Sequence, residues 1–353
     1  MLKIAVGTQL LCASAAIAGP SKPVTLGIDW EVLLGRSSLV YSWTANQTGP
    51  QAWTQSLFGG NGGLGFMIYQ PAGFVENSLR LSLGRMDVYD DRTAALCGAS
   101  QPPCDAFQGN FAIDTPRLPI GYVVLDFGSA LVSAVGVVDL WDGVVSGNVT
   151  TNAGVLSFRV YGLMDWRATD AIVIETAVLA GSGAWNVSFV PSPAVSTWAD
   201  ETYVYSPAVD CHGDAASGTL VCTQIHLLNT SHSTAVQTRS NGGAGQVTYV
   251  SISPVLSDSA SSDAYASAQV AAASQLGPAA LLATTRAWWH TFWPAGGAVT
   301  LNDTVLESFY YIQLYKFATA TQAGRAVHDL EGPWYIDGEA TVQSDVILSV
   351  SYP

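Results

Sequence analysis

The residues best suited to chemistry lie near the C-terminus. Leu330-Glu331-Gly332-Pro333-Trp334-Tyr335-Ile336-Asp337-Gly338-Glu339 sets three carboxylates beside two aromatic rings. That pairing suits sugar binding, because an aromatic face stacks on a pyranose ring while acids work at the glycosidic bond. Its Gly-Pro punctuation marks a loop, a poor core element but a common site element. Upstream, Arg286-Ala287-Trp288-Trp289-His290-Thr291-Phe292-Trp293 packs four aromatics and a His into eight residues. That run is read as packing between domains rather than as a sugar platform.

Other chemistries find no foothold. Gly60-Asn61-Gly62-Gly63-Leu64-Gly65 satisfies G-x-G-x-x-G. A dinucleotide fingerprint needs a strand before it and a helix after it. Phe66-Met67-Ile68-Tyr69 reads instead as a strand, so the loop is expected to be a Gly-rich hairpin or a close backbone approach. There is no G-x-S-x-G elbow, no H-E-x-x-H and no Walker A loop. The His residues, at 212, 226, 232, 290 and 328, are scattered and assemble no triad. Asp90-Asp91-Arg92 reads as a local salt bridge. No motif asks for a cofactor or a metal.

The elements that must position the C-terminal residues come from an unusual composition. Only 11% of the 353 residues are charged, against ~25% in an ordinary domain. The net charge is −14, which argues against a nucleic-acid binder and against a polybasic membrane-surface protein. Eleven Trp, 14 Tyr and 11 Phe supply a large core. The run Tyr122–Trp141 carries Asp126 and Asp139 and reads as adjacent strands, so no membrane span is expected.

Residues 1–18 read as a signal peptide: Lys3, an apolar stretch from Ile4 to Ala16, and an Ala16-Ile17-Ala18 cleavage site. The expected location is extracellular. The Cys pairs Cys97/Cys104 and Cys211/Cys222 suit two short-loop disulfides. Sequons at Asn46, Asn148, Asn186, Asn229 and Asn302 predict glycosylation.

Residues 19–260 predict a large β domain. Short runs such as Leu64–Tyr69, Val155–Tyr161 and Gln246–Ser253 are broken by Gly, Pro, Asn and Asp. Residues 261–301 predict a helical linker, with Gly277-Pro278 dividing two helices. Thr304-Val305-Leu306-Glu307 matches a capping box and opens a helix to about Thr321, with Gly324 at its end. Its apolar stripe is Leu306, Phe309, Tyr310, Ile312 and Phe317. Residues 302–353 are read as the start of a helical domain.

Taken in order, these segments resemble the N-terminal half of family 95-like glycoside hydrolases, a group of α-L-fucosidases and uncharacterised secreted relatives. The residues that carry the likeness begin with Trp53-Thr54-Gln55-Ser56-Leu57-Phe58-Gly59-Gly60-Asn61-Gly62-Gly63-Leu64-Gly65. They continue with Leu83-Gly84-Arg85-Met86-Asp87, Leu118-Pro119-Ile120-Gly121-Tyr122 and Trp288-Trp289-His290-Thr291-Phe292-Trp293. Tyr310-Tyr311-Ile312-Gln313-Leu314-Tyr315 is similar to the family's first barrel helix, and Asp329-Leu330-Glu331-Gly332-Pro333-Trp334 to its D-L-Q-G-x-W loop. The resemblance implies an antiparallel β-sandwich, a helical linker and the first helices of an (α/α)₆ barrel. It implies an inverting mechanism, with two carboxyl groups ~6.5–9.5 Å apart. Those groups would lie in the barrel beyond Pro353, so no catalytic residue is assigned.

Gln55 and Phe58 replace the family's Glu and Pro, and Asp345–Pro353 contains no Asn where the family places helper Asn residues. Trp334 is expected at the edge of the sugar cleft, with Asp337 and Asp345 as further substrate-binding residues. Two functions follow as expectations: a secreted glycoside-hydrolase-like chain without its own catalytic carboxylates, or a non-catalytic carbohydrate-binding or structural module. A carbohydrate is the expected partner in both.

Overall fold

A computed structural model of the chain describes residues 27–44, 56–70, 77–89, 117–194, 208–226, 229–242, 245–326 and 332–335. Two antiparallel sheets face each other. The smaller contains β2 (Leu57–Gly60), β3 (Leu64–Tyr69), β4 (Ser78–Arg85), β5 (Gly121–Asp126) and β10 (Asn186–Pro191), in the order β10-β5-β4-β3-β2.

The larger sheet has nine strands. Its first half is β1 (Leu39–Thr44), β6 (Leu131–Asp139), β7 (Val144–Thr151), β8 (Gly154–Gly162) and β9 (Ile172–Gly181). It continues through β14 (Gln246–Ile252), β13 (Ser231–Ser240) and β12 (Thr219–Ile225) to β11 (Asp210–Asp214). A short helix, α1 (Trp30–Gly35), precedes β1.

Side-chain alternation in the large sheet builds two cores at once. Leu156, Phe158, Val160, Ile172, Ile174, Val250 and Ile252 point toward the smaller sheet. Tyr161, Val173, Val247 and Tyr249 point the other way, onto the helices. A strand's period of two turns successive residues to opposite faces, so apolar residues on both faces need a cover on both. The outer cover is α2 (Ser259–Leu276) with α3 (Pro278–Gly296), through Ala266, Val270, Ala273, Leu281 and Leu282. Small Ala side chains let α2 lie close to the strands. Gly277-Pro278 divides these helices, as the sequence predicts. No helix among the described residues is long and apolar enough to cross a membrane.

The aromatic run in α3 is a packing element. Trp289 and Trp293 are fully buried and stack on each other, with centroids 5.6 Å apart. Trp293 Nε1 donates to the Leu140 carbonyl at 2.8 Å. Trp289 stacks on Tyr315 of α4 (Thr304–Ala320), at 5.0 Å, so the linker joins sandwich and terminal helix through rings.

Helix α4 corrects three expectations. Its N-cap is Asp303, whose carboxylate accepts from Val305 N at 2.9 Å and Leu306 N at 3.2 Å. Glu307 instead reaches back to Leu301 N at 2.8 Å, so the capping box does not form. The helix ends at Ala320, before Gly324, because Thr321 takes extended backbone. Of the expected stripe Tyr310 and Ile312 pack against the core, but the most buried face carries Glu307, Tyr311, Tyr315, Ala318 and Thr319. Leu306, Phe309 and Phe317 point outward and are more than half exposed. The small residues Ala318 and Thr319 decide this, because they allow an approach to the sheet that Phe317 would block.

Cys211 and Cys222 are directly paired across β11 and β12 and form a disulfide. Cys97 and Cys104 lie outside the described residues.

The turn between β6 and β7 gives one test. Gly143 has φ +65° and lies against the Trp289 indole, which a Cβ would overlap. Gly143→Ala is expected to destabilise the fold by about 2–4 kcal/mol, from backbone strain and overpacking together. Thermal denaturation reads this directly, and an unchanged midpoint would contradict the packing described.

Candidate functional site

Asn61, at the tip of the β2–β3 hairpin, organises the glycine-rich loop. Its Oδ1 accepts from Gly63 N at 3.2 Å and Leu64 N at 2.8 Å, and its Nδ2 donates to Asp170 Oδ1 at 2.9 Å. Asp170, just before β9, is fully buried. Arg85, at the end of β4, donates from Nη1 to Asp170 Oδ2 at 3.0 Å and to the Ile252 carbonyl at 2.8 Å. The same guanidinium grips Asp87 from Nε and Nη2. Arg325, five residues beyond α4, donates to both Asp170 oxygens. Tyr265 of α2 adds its hydroxyl at 3.2 Å. The Arg325 guanidinium lies over the Trp166 ring, 4.2 Å from its centroid.

Five donors from four side chains therefore meet one carboxylate. Burial alone would raise the Asp170 pKa. The hydrogen bond from Arg325 and the charges of Arg85 and Arg325, with Asn61 added, outweigh burial and hold it at about 2. Burial opposes the charge on Arg85, yet Asp87 and Asp170 raise its pKa further. Tyr265 is pushed up to about 12, by burial and then by the Asp170 charge. A carboxylate so saturated neither gives nor takes a proton near neutrality. The cluster is a fastening between chain segments, not a proton-transfer pair.

What it fastens is the C-terminal segment, against a rim of glycines. Gly62 N donates to the Thr319 carbonyl at 2.8 Å. A Cβ on Gly60 would lie 2.7 Å from that carbonyl, and one on Gly65 2.6 Å from the Pro333 carbonyl. Gly84, across the strand pair, meets the same Pro333 oxygen. The glycines are there for close backbone approach. The rim is the hairpin the sequence predicts, and the approaching backbone belongs to Thr319 and Pro333.

Trp334 is half-buried at this rim. Its Nε1 donates to the Gly59 carbonyl at 2.9 Å, and its carbonyl accepts from Arg117 Nη2 at 2.5 Å. Phe58 sits edge-on to both Trp334, at 5.4 Å, and Tyr315, at 5.6 Å. Tyr315 OH donates to the Phe58 carbonyl at 3.3 Å. The Phe at position 58 thus fills the corner between terminal helix and terminal loop.

Asp337, Asp345 and Asn46 lie outside the described residues, as do Asp90, Asp91 and His328. Asn148, Asn186, Asn229 and Asn302 are all exposed. His226 Nε2 and His232 Nδ1 share a 2.8 Å hydrogen bond in the interior. Sequence reading did not single out Asp170 or Arg325. The available signal was scarcity: with 13 Lys and Arg in the chain, each buried Arg needs a carboxylate partner.

Asp170→Asn is expected to cost about 3–5 kcal/mol, because it leaves two buried guanidinium groups short of charge. Urea unfolding measures the loss, and a cost below about 1 kcal/mol would contradict the fastening. Acid should act in two steps. Burial, then the neighbouring His226 and Arg85, hold His232 well below its ordinary 6.5, so the unfolded chain binds a proton that the native state refuses. Stability should decline as pH falls below about 6.5. Asp170 sits below its ordinary 3.8, so its contribution is complete above that value and lost as pH falls toward 2. Melting temperature against pH should show both steps, with the lower one missing in Asp170→Asn.

No family model matches the chain. No curated protein matches it either. Solved structures do: a chain assigned as a kojibiose phosphorylase, from the human microbiome, superposes with a TM-score of 0.51 at 9% identity. The match covers 81% of this chain and 39% of that one, so this chain spans about two fifths of its neighbour's length. What the two share is the fold.

Proposed function

We propose that the chain is the sandwich half of a secreted carbohydrate-active enzyme that cleaves O-glycosyl bonds. In this reading residues 1–18 are a signal peptide, 19–260 the sandwich domain, 261–301 the linker and 302–353 the opening of a helical domain. The observation that carries the reading is the docking of residues 319–325 and of Pro333 on the glycine rim, fastened by Asp170 and Arg325. A sandwich that builds such a mount for a terminal helix and loop is suited to bracing a second domain.

Two further observations support it. The motif order is similar to that of family 95-like hydrolases, and the fold is similar to that of a kojibiose phosphorylase. Helix α4 also turns Val305, Leu306, Phe309 and Phe317 to solvent. One more layer of helices would cover that face. The catalytic carboxylates would then belong to that layer, and Trp334 would fix where the chain carrying Asp337 and Asp345 enters the sugar cleft. The Cys211–Cys222 disulfide suits export.

Activity tests this reading. Residues 19–353 alone are expected to hydrolyse neither aryl α-L-fucosides nor aryl α-D-galactosides, and not to phosphorolyse kojibiose. The native protein from its source is expected to turn over one of these substrates. An inactive native protein would overturn the proposal. Turnover by the isolated chain, lost on replacing a resident carboxylate, would place the catalytic pair within it.

A further inference from the structure

Helices α2 and α3 cover only part of the large sheet's outer face. Beyond α3 no other described element covers the face, which forms a trough built by strand register. Val137, Ser146, Arg159 and Glu175 lie side by side across β6, β7, β8 and β9. Val135, Asn148, Ser157 and Ala177 form the next row. Short side chains in the middle strands make the floor low, while α3 and Asn241 stand above it. Two cavities of about 500 and 580 Å³ share Arg159, Glu175 and Asn241, so they form one groove. Each is within the size range of small-molecule sites.

We propose that this trough is a saccharide-binding site, separate from the glycine rim, with which it shares no residue. The chemistry matches face for face. Arg159 and Glu175 are paired at 3.3 Å and partly exposed, so one offers donors and the other acceptors to neighbouring hydroxyls. Ser146, Ser157 and Asn148 each both donate and accept. Val135, 45% exposed, and Val137 give an apolar strip to the C–H face of a pyranose ring. A hydroxyl-rich ligand with one apolar face fits this pattern better than an apolar ligand or a bare anion. The groove has few cations, and each is already held by a carboxylate.

The sugar has two possible sources. It is a free oligosaccharide, or it is a glycan carried by Asn148, which lines the trough and begins the sequon Asn148-Val149-Thr150. The inference does not rest on the proposed enzymatic role, and an inactive protein would leave it standing.

Each source has its own arm in the test. Protein made without glycosylation is titrated by calorimetry with maltohexaose, xylohexaose and mannohexaose. Protein secreted from a eukaryotic host is treated, still folded, with an endoglycosidase, and release from Asn148 is compared with release from exposed Asn302 by peptide mass. The expected result is saturable binding of one hexasaccharide, or release from Asn148 at least about tenfold slower than from Asn302. Replacing Arg159 and Glu175 together by Met should weaken the binding, or speed the release, by about tenfold, the usual loss for a charged hydrogen-bonding pair. Ser157→Trp fills the trough while leaving both charged residues in place and should do the same with melting temperature unchanged. No bound hexasaccharide, together with a glycan at Asn148 that is absent or released as fast as at Asn302, would overturn the proposal.

Discussion

The buried carboxylate of Asp170 is the constraint on which the rest of the structure depends. It draws Arg85 from the small sheet and Arg325 from beyond the last helix to one point at the start of β9 in the large sheet. Three charges removed from water are costly singly and tolerable only together. Each segment that carries one is therefore committed to the same arrangement. Asn61 extends the commitment to the glycine hairpin, and Tyr265 extends it to the helix covering the outer face. In a chain where 11% of residues are charged, few other ionic contacts can set the relation of sheets to tail.

Aromatic packing fills the space that this fastening defines. Trp293, Trp289, Tyr315, Phe58 and Trp334 run in contact from linker to terminal loop. Rings bring large buried area, and Trp293, Trp334 and Tyr315 direct their polar atoms to the backbone carbonyls of Leu140, Gly59 and Phe58. The rim opposite has no side chains at Gly60, Gly65 and Gly84, so backbone meets backbone there. Bulk on one side and its absence on the other are parts of one fit.

The sandwich was legible because burial on one face imposes alternation. Leu64–Tyr69 is β3 as expected, and Val155–Tyr161 lies within β8. Strands β11 and β13 give no apolar alternation to read: β11 is exposed throughout, and β13 buries Ser, Thr and Gln in hydrogen-bonded networks. The division at Gly277-Pro278 was legible from backbone chemistry alone. The face of α4 was legible only in part: Tyr310 and Ile312 pack on the core, while Leu306, Phe309 and Phe317 point outward and Tyr311, Tyr315, Ala318 and Thr319 are the most buried. Amphipathicity reports where water is expected, and this helix is held by rings and close approach instead. Of the site, the glycine loop and Trp334 stood out by motif. Asp170 and Arg325 did not, because 155 residues separate them and no spacing links them.

The glycine rim and the Asp170–Arg325 contact together mount the terminal segment on the sandwich. That depends on sandwich and tail acting as one unit through Asp170 and Arg325. A double-mutant cycle with Asp170→Ala and Arg325→Ala, read by urea unfolding, measures their coupling directly. The account predicts a coupling of about 2 kcal/mol or more, as for contacting charges in a buried network. A coupling below about 0.5 kcal/mol, the scatter expected for independent sites, would contradict it.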